Sequence, residues 1–303
     1  MDGTNSVEHD INEDDLNKSP RIYLAHVHGA QGDNILLGQK GVRRFDRRQD
    51  GSIDKERLKP ALLVSYVYLE KFLKMRQQYC YRDWVLDSGA FSAYNSGTEI
   101  KLQDYIDCCK QLLATDPTLT EIYSLDVIGD YKASRSNTEE MWKQGVEAIP
   151  CFHVGSPENE LKAMAKDYPK IALGGVALMN GQRDKKFKWA QQCFARVWPK
   201  PIHGFAFSSE NMVMSLPWHS VDATSWEIGP CKFGRWQAFG NMSVRGSKQN
   251  LRAEVEWYLR LEQRARTKWK KQMNELDYQP KRVTKTCNPA IRLAVRASRP
   301  PKN

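Results

Sequence analysis

The stretch AIPCFHVGSPENELKAMAKDYPKIALGG, residues 148–175, contains one complete strand–helix–strand unit. Its apolar runs Ala148–His153 and Ile171–Leu173 have the composition of buried strands, and Glu158–Asp167 between them is helix-like. Two strands that are joined through a helix in this way lie parallel in one sheet. The stretch therefore predicts an α/β fold.

Similar units continue outward from this stretch toward both ends of the chain. Further strands are predicted at Ile22–Val27, Ala61–Ser65, Trp84–Leu86, Ile122–Leu125, Ile202–Phe207 and Ser220–Val221. Further helices are predicted at Leu102–Ala114, Thr138–Gly145 and Lys185–Val197. Repeated units with near-continuous apolar strands are typical of a buried parallel sheet.

An open doubly wound sheet and a closed barrel both fit this alternation. The predicted strands stop at polar or glycine-rich segments, which read DSGA, LDVIGD, FHVGS, LGG, FSSEN and VDATS. Such residues at many successive strand ends are typical of a barrel's carboxyl face, whereas an open sheet concentrates them at one switch point. The chain also lacks GxGxxG and GxxxxGK[ST], the phosphate-binding motifs of the commonest open sheets. We therefore predict an α/β fold of the (β/α)8 TIM-type barrel class, with a basic C-terminal helix and tail.

Composition excludes several classes of protein. The 303 residues are 41% hydrophobic and 27% charged, which is typical of a globular chain and excludes collagen, a coiled coil and wholesale disorder. The longest apolar run, Ala61–Leu69, is much shorter than the roughly 20 residues of a membrane-spanning helix. Seven cysteines without a CxxC pair are typical of a reducing compartment. We therefore predict a cytoplasmic protein with no membrane partner.

The two ends of the chain carry opposite charge. Residues 1–20 are acidic and almost free of apolar side chains, so they predict a disordered leader rather than a signal peptide. The barrel is predicted over 21–248, a basic helix over 249–278 and a basic tail over 279–303. The net charge is +10, and residues 251–303 hold fourteen Lys and Arg against five acidic residues. This excess favours a polyanionic partner and predicts a C-terminal phosphate contact; Arg43, Arg44, Arg47 and Arg48 are the alternative.

Three aspartates follow predicted strands: Asp87 in DSGA, Asp126 in LDVIGD and Asp222 in VDATS. Each one alone is equally typical of a turn or a helix cap. On a barrel, however, the three would converge on one pocket, where neighbouring carboxylates acquire split pKa values that suit nucleophilic and acid/base roles. This convergence is the main functional prediction from the residues themselves.

Other residues at the strand ends suit a planar ligand. Gly174 and Gly175 let the backbone approach a ligand closely, and Phe91 and Phe205 offer flat faces, although core packing explains the two phenylalanines equally well. No metal site is predicted, because we expect Cys151 and His153 to lie on opposite faces of their strand and therefore not to share an ion.

Six segments carry a family resemblance in chain order: DSGAFSAY, SLDVIGD, IPCFHVGS, ALGGVAL, HGFAFSS and SVDATSW. They resemble the motifs of the tRNA-guanine transglycosylase superfamily, in particular its phage branch of DNA 7-deazaguanine transglycosylases (DpdA type). The resemblance runs from about Arg21 to Trp226. It implies a (β/α)8 barrel that exchanges guanine in DNA for a 7-deazaguanine, such as 7-cyano-7-deazaguanine, through a covalent sugar intermediate with retention.

The resemblance also implies roles for individual residues. By position, Asp222 corresponds to the nucleophile and Asp87 to the general acid/base. The implied substrate-binding residues are Asp126, Ser88, Gly89, Phe91, His153, Gly174, Gly175 and Phe205. The family's QG pair is Val154-Gly155 here, so the glutamine's contact with the base is either lost or passed to His153.

Partners and cofactors follow from the same resemblance. The zinc motif CxCxxC of the tRNA enzymes is absent after Asp222, which implies no cofactor and favours DNA over tRNA. The implied partners are DNA and a free 7-deazaguanine base, with deazaguanine-biosynthesis or duplex-opening proteins as further candidates, in a bacterial host's cytoplasm if the gene belongs to a phage. The alternatives are a tRNA-guanine transglycosylase that acts on RNA, a glycoside hydrolase, and a non-catalytic nucleic-acid-binding barrel.

Overall fold

A computed structural model describes residues 19–26, 28–39, 41–176, 179, 182–240, 242–243, 251–276 and 278. Eight parallel strands form one curled sheet. The strands are β1 (Arg21–His26), β2 (Ala61–Ser65), β3 (Trp84–Asp87), β4 (Leu119–Ile122), β5 (Cys151–His153), β6 (Ile171–Gly174), β7 (Ile202–Gly204) and β8 (Ser220–Ala223). A separate antiparallel pair joins β9 (Arg235–Trp236) to β10 (Met242–Ser243).

Helices alternate with these strands. They are α1 (Ala30–Leu37), α2 (Leu69–Met75), α3 (Ala90–Ser96), α4 (Leu102–Thr115), α5 (Tyr131–Lys143), α6 (Glu158–Asp167), α7 (Arg183–Val197), α8 (Glu210–Ser215), α9 (Ser225–Phe233) and α10 (Arg252–Asn274). The prediction of an α/β fold with a parallel sheet is confirmed, and each predicted strand overlaps an observed one.

The two edges of the sheet approach each other. The strand order is β4-β3-β2-β1-β8-β7-β6-β5, so β4 and β5 are the edge strands. Just beyond them, Tyr123 and Ile149 form a parallel bridge. The Ser124 N–H donates to the Ile149 carbonyl at 2.9 Å, and the Ile149 N–H donates to the Ile122 carbonyl at 2.8 Å. The curl of the sheet thus brings its first and last strands, in spatial order, into hydrogen-bonding contact.

Alternate residues of the strands pack on opposite faces of the sheet. One buried cluster contains the side chains that point inward: Tyr23, Ala25, Ala61, Leu63, Val85, Tyr123, Ile149, Cys151 and Ala172, with Phe205 against it. A separate and larger cluster joins the outward side chains, such as Leu24, Val64 and Leu86, to the helices. Because successive strand residues point to opposite faces, two distinct cores are what a curled parallel sheet inside a ring of helices produces.

The last helix fastens the amino end of β1. Glu262 of α10 is 2% exposed and accepts a hydrogen bond from the Ile22 N–H at 2.7 Å and another from Arg82 at 2.8 Å. The helix predicted over 249–278 is observed over Arg252–Asn274. The predicted leader and tail lie outside the described residues, except for Ser19 and Pro20. None of the described helices is both long and apolar enough to cross a lipid bilayer.

Candidate functional site

A cavity of about 270 Å³ opens at the carboxyl ends of the strands. All eight strands, or the residues directly after them, contribute to its wall. This placement follows from the topology, since parallel strands present all their carboxyl ends on one side. The residues that the sequence analysis singled out and that line the cavity are Asp87, Phe91, Asp126, His153, Gly174, Gly175, Phe205 and Asp222.

Asp87 is the last residue of β3, and its carboxyl group lines the cavity. Burial, and to a smaller extent the negative charges of Asp126 and Asp222, raise its pKa to about 7. The Gly89 N–H donates to its Oδ2 at 3.1 Å, from a backbone with a φ of 76° that a glycine adopts readily. Gly89 therefore supports Asp87 from behind instead of lining the cavity.

Asp126 follows β4 and has both oxygens engaged. Ser88 Oγ donates to its Oδ1 at 3.2 Å, and His153 Nε2 lies 2.6 Å from its Oδ2. Ser88 is 1% exposed and lies outside the cavity wall, so it orients Asp126 from the buried side. Asp126 and His153 together present one polar edge to the cavity.

Asp222 lies on β8 and is 5% exposed. The backbone N–H of Ala206, in the loop after β7, donates to its Oδ1 at 2.8 Å. Ala206 has a φ of 59°, a conformation that is uncommon and strained for a residue with a Cβ. None of the other described residues donates a hydrogen bond to this carboxylate. This hydrogen bond holds Oδ1 of Asp222 in place and thereby fixes the position of Oδ2.

Lys186 of α7 supports the same loop. Its ammonium donates to the Ala206 carbonyl and lies 4.4 Å from the centre of the Phe207 ring. Burial lowers the pKa of Lys186 to about 8, although the charge of Asp222 opposes this shift. A cation therefore stands beside the peptide that holds Asp222.

A chain of buried polar groups continues below Asp222 through the interior of the sheet. His203 Nε2 lies 3.8 Å from Asp222 Oδ1, beyond hydrogen-bonding distance, and its Nδ1 lies 2.9 Å from Ser220 Oγ. Ser220 Oγ accepts from Lys170 at 3.1 Å, and Lys170 donates to both oxygens of Glu121 at 2.7 Å. Burial lowers the pKa of His203, so this ring is neutral near pH 7. A neutral ring next to Asp222 leaves that carboxylate without a cationic partner below it.

The aromatic and glycine residues shape the remaining wall. Phe91 is 42% exposed at the cavity mouth and is therefore not a core residue. Phe205 packs against Tyr123 and His203, with ring centres 4.9 and 4.6 Å apart. A Cβ on Gly174 would lie 2.5 Å from Cys151 Sγ, so only glycine fits there. The cavity thus has one exposed aromatic ring at its mouth and one packed aromatic ring inside.

The last described residue lies far from this cavity along the strands. Tyr278 donates a hydrogen bond to Glu121 at 3.1 Å, and its ring lies 5.4 Å from Lys170 Nζ and 5.0 Å from the ring of His219. Lys170 and His219 directly precede β6 and β8, so Tyr278 covers the amino ends of the strands. Residues 279–303, for which a phosphate contact was predicted, lie outside the described residues.

Among the described residues, two groups of side chains could hold a metal ion. Asp126, Cys151 and His153 have ligand atoms within 4.8 Å of one another, as do His26, His28 and Asp33. The prediction that Cys151 and His153 face opposite sides of their strand is wrong, since both line the cavity. The physical reason is that residues two apart in a strand point to the same face.

Sequence reasoning missed the residues that position the three aspartates. Ala206 holds Asp222 through its backbone, and a backbone contact leaves no trace in residue type. His203 does have a trace, because it lies two residues before Phe205 and therefore faces the same interior. Lys186 is one of several basic residues at the start of α7, and nothing in the sequence sets it apart from them.

The raised pKa of Asp87 predicts how stability depends on pH. A carboxyl group with a higher pKa in the folded chain than in the unfolded one stabilises the fold at low pH, and this contribution is lost as pH rises through about 7. Asp87→Asn stays neutral and avoids that loss. Between about pH 4 and pH 8, its free energy of unfolding in urea should rise relative to wild type by on the order of 4 kcal/mol.

Two controls accompany this measurement. Asp126→Asn removes the neighbouring charge that has the larger effect on the pKa of Asp87. In this variant the decline of the free energy of unfolding should therefore end at a lower pH than in wild type. Asp130→Asn should keep the wild-type decline, because Asp130 caps α5 through the Lys132 and Ala133 N–H groups, away from the cavity. Parallel stability curves for wild type and Asp87→Asn would show that Asp87 has an ordinary pKa.

Comparison with known proteins adds no family to these observations. No protein-family model matches the chain, and no curated protein matches it either. The function proposed below therefore depends on the geometry of the cavity and on the resemblance of the six sequence segments.

Proposed function

We propose that this chain is a DNA-guanine transglycosylase, which exchanges guanine in DNA for a 7-deazaguanine such as 7-cyano-7-deazaguanine. One observation carries the proposal: Asp87, Asp126 and Asp222, from three different strand ends, line a single cavity of about 270 Å³. Base exchange at a sugar needs a nucleophile, an acid/base group and a group that recognises the base. The three carboxylates have surroundings that suit these three tasks separately.

We infer that the sheet is a closed (β/α)8 barrel. The Tyr123–Ile149 bridge between its edges supports closure. The inward cluster supports it too, because it unites side chains of β1, β2, β3, β5 and β6 with Tyr123 and Phe205. A barrel gives the site its rigidity, since the catalytic side chains then stand on strand ends fixed by neighbours on both sides.

The first half of the proposed reaction forms a covalent intermediate. The free oxygen of Asp222 attacks C1′ of the deoxyribose, and the bond from C1′ to guanine N9 breaks. Asp87, with its pKa of about 7, is partly protonated at neutral pH and gives its proton to the departing guanine. The products of this half-reaction are an Asp222–sugar ester and free guanine.

The second half reverses the roles. The incoming 7-deazaguanine transfers its N9 proton to the Asp87 carboxylate and attacks C1′, and the bond between C1′ and the Asp222 oxygen breaks. Two inversions give net retention at C1′. Protons and electron pairs balance without an oxidant or reductant, and the scheme calls for no cofactor.

Asp126 is the residue we assign to recognition of the base. A carboxylate accepts hydrogen bonds from the N1–H and the exocyclic amine that guanine and 7-deazaguanines share, whereas adenine offers a different pattern. His153 and Ser88 hold the two oxygens of Asp126 in position. Phe91 and Phe205 offer stacking faces, and a cavity of this volume takes one base, so the target nucleotide leaves the duplex stack.

The start of α7 offers a contact for the DNA backbone on the same side as the cavity. Arg183, Lys185 and Lys188 are exposed there, and Lys186 reaches the loop that holds Asp222. Cations next to a nucleic-acid pocket bind phosphates and steer association. We therefore assign the first phosphate contacts to α7, with the tail over 279–303 as a further contact expected from its charge.

The alternatives explain less of the site. A glycoside hydrolase typically stacks sugars on tryptophan, and no tryptophan is among the described residues that line the cavity. A non-catalytic nucleic-acid-binding barrel has no use for a carboxyl group whose pKa is raised to about 7. An enzyme that acts on RNA would share the same cavity, so the substrate itself has to decide between RNA and DNA.

The covalent step gives the first test. Excess purified enzyme mixed with a guanine-containing single-stranded oligodeoxynucleotide should yield an adduct that survives denaturing electrophoresis, because an Asp222–sugar ester links the two. Added free guanine should dissolve the adduct by reversing the step. Asp222→Ala should form none, whereas Asp130→Asn, matched as a strand-end aspartate that only caps a helix, should form it at the wild-type level.

Two results would count against the assignment. An adduct that persists in Asp222→Ala places the nucleophile elsewhere. An adduct that forms with an RNA oligonucleotide of the same sequence, and not with DNA, favours the RNA enzyme.

Asp126→Asn tests base recognition separately from DNA binding. The amide lacks the charge and the second acceptor that guanine requires, so the rate of guanine exchange should fall on the order of 10²–10³-fold. Affinity for the oligodeoxynucleotide, measured by fluorescence anisotropy, should stay within about threefold because most of that affinity comes from phosphates. An equal loss of exchange and of binding would remove Asp126 from base recognition.

A further inference from the structure

A second cluster of titratable side chains lies between the end of β1, α1 and the start of α9. His26, His28 and Asp33 have one ligand atom each within 4.8 Å of the others. His26 is 2% and Asp33 7% exposed, and the His28 side chain is 2% exposed. The transglycosylase scheme proposed above gives none of these three residues a role, although His26 also lines the cavity.

The distances within the cluster fit a tetrahedral metal site. His26 Nε2 lies 2.9 Å and His28 Nδ1 3.7 Å from Asp33 Oδ1. Tyr79 Oη lies 2.9 Å from the same oxygen and 3.2 Å from His28 Nδ1. Bonds of about 2.0–2.1 Å from a zinc ion to its ligands place those ligands roughly 3.3 Å apart. The geometry points to a site for one divalent transition metal ion, in the first place zinc, ligated by His26, His28 and Asp33.

Groups around these three side chains have the positions of outer-shell partners. His26 Nδ1 lies 3.7 Å from Glu227 Oε2, and among the described residues neither of these buried atoms has a hydrogen-bond partner. A metal-bound histidine usually directs its other ring nitrogen at a carboxylate. Lys71 Nζ lies 2.6 Å from Asp33 Oδ2 and so supports the oxygen that does not face the histidines.

The Glu227 carboxylate is buried and held against the start of α1. It is 3% exposed, and its Oε1 accepts a hydrogen bond from the Gly32 N–H at 3.2 Å. A Cβ on Gly29 would lie 2.1 Å from Glu227 Oε1, so the start of α1 closes on the carboxylate. A buried carboxylate oxygen and a buried imidazole nitrogen that both lack a hydrogen bond cost free energy, because each has lost its contact with water. A metal ion on the other nitrogen of His26 explains why the two groups face each other.

The backbone conformation of His28 also supports a metal site. Its φ is 53°, in the left-handed region that residues other than glycine adopt in only a few per cent of cases, histidine more often than most. Such strain persists where the surrounding structure requires a side chain in one place. Here it brings the His28 ring to 4.1 Å from the ring of His26, centre to centre, and aims Nδ1 at Asp33.

One competing explanation needs no metal. Asp33 and Glu227 carry two negative charges against the single positive charge of Lys71, and an imidazolium at His26 between the two carboxylates would restore neutrality. The two explanations predict different amounts of bound metal. A metal ion bound by Asp126, Cys151 and His153 is a third case, which can be recognised because only that group contains a thiol.

Metal analysis of the purified full-length chain tests the proposal. The chain is stripped with a chelator, given excess Zn²⁺, desalted and measured by inductively coupled plasma mass spectrometry. Wild type should retain about one zinc per chain; His28→Gln and Asp33→Asn should each retain roughly a tenth of that or less, and Glu227→Gln should bind zinc about 10–100-fold more weakly. Cys151→Ser and His153→Gln are the matched controls and should retain the wild-type amount.

A second measurement does not depend on whether the ligand variants fold. Co²⁺ bound to wild type should show visible d–d bands of a tetrahedral nitrogen and oxygen site, without a near-ultraviolet thiolate-to-cobalt band. If the wild-type chain retains no zinc, the imidazolium explanation is left and the proposal is overturned. A thiolate band, or loss of zinc in Cys151→Ser, also overturns it, because the ion would then occupy the Cys151 group.

Discussion

The burial of three carboxyl groups in one small cavity is the constraint on which the site depends. Asp87 ends β3, Asp126 follows β4 and Asp222 lies on β8, and the curled sheet brings all three to one cavity. Burial and the two neighbouring charges raise the pKa of Asp87 to about 7. One carboxyl group can therefore carry a proton at neutral pH while the other two are held by hydrogen bonds from Ala206 and Ser88.

The carboxyl and amino ends of the strands carry different groups of residues. The cavity and the basic start of α7 lie at the carboxyl ends of the strands. Tyr278, where the described chain ends, closes the opposite side over Lys170 and Glu121. The start of α7 therefore places exposed basic side chains on the same side of the sheet as the cavity.

The sequence predicts the parts of this structure that depend on periodicity. Buried apolar runs locate all eight strands, and a polar residue after a strand locates Asp87 and Asp126. Short helices escape prediction: α1 contains Gly32, and α9 contains Pro230 and Gly229, residues with low helix propensity that tertiary packing overrides. Contacts made by the backbone, such as Ala206 with Asp222, depend on loop conformation and have no sequence pattern.

Nucleoside mass spectrometry of cellular DNA tests the central proposal most directly. Bacterial cells that are supplied with 7-cyano-7-deazaguanine and express the wild-type chain should contain its deoxynucleoside in their DNA, and cells that express Asp222→Ala should contain none. The RNA of both should lack any additional deazaguanine. Unmodified DNA with the wild-type chain, or equal modification with Asp222→Ala, would contradict the assignment of this cavity to guanine exchange in DNA.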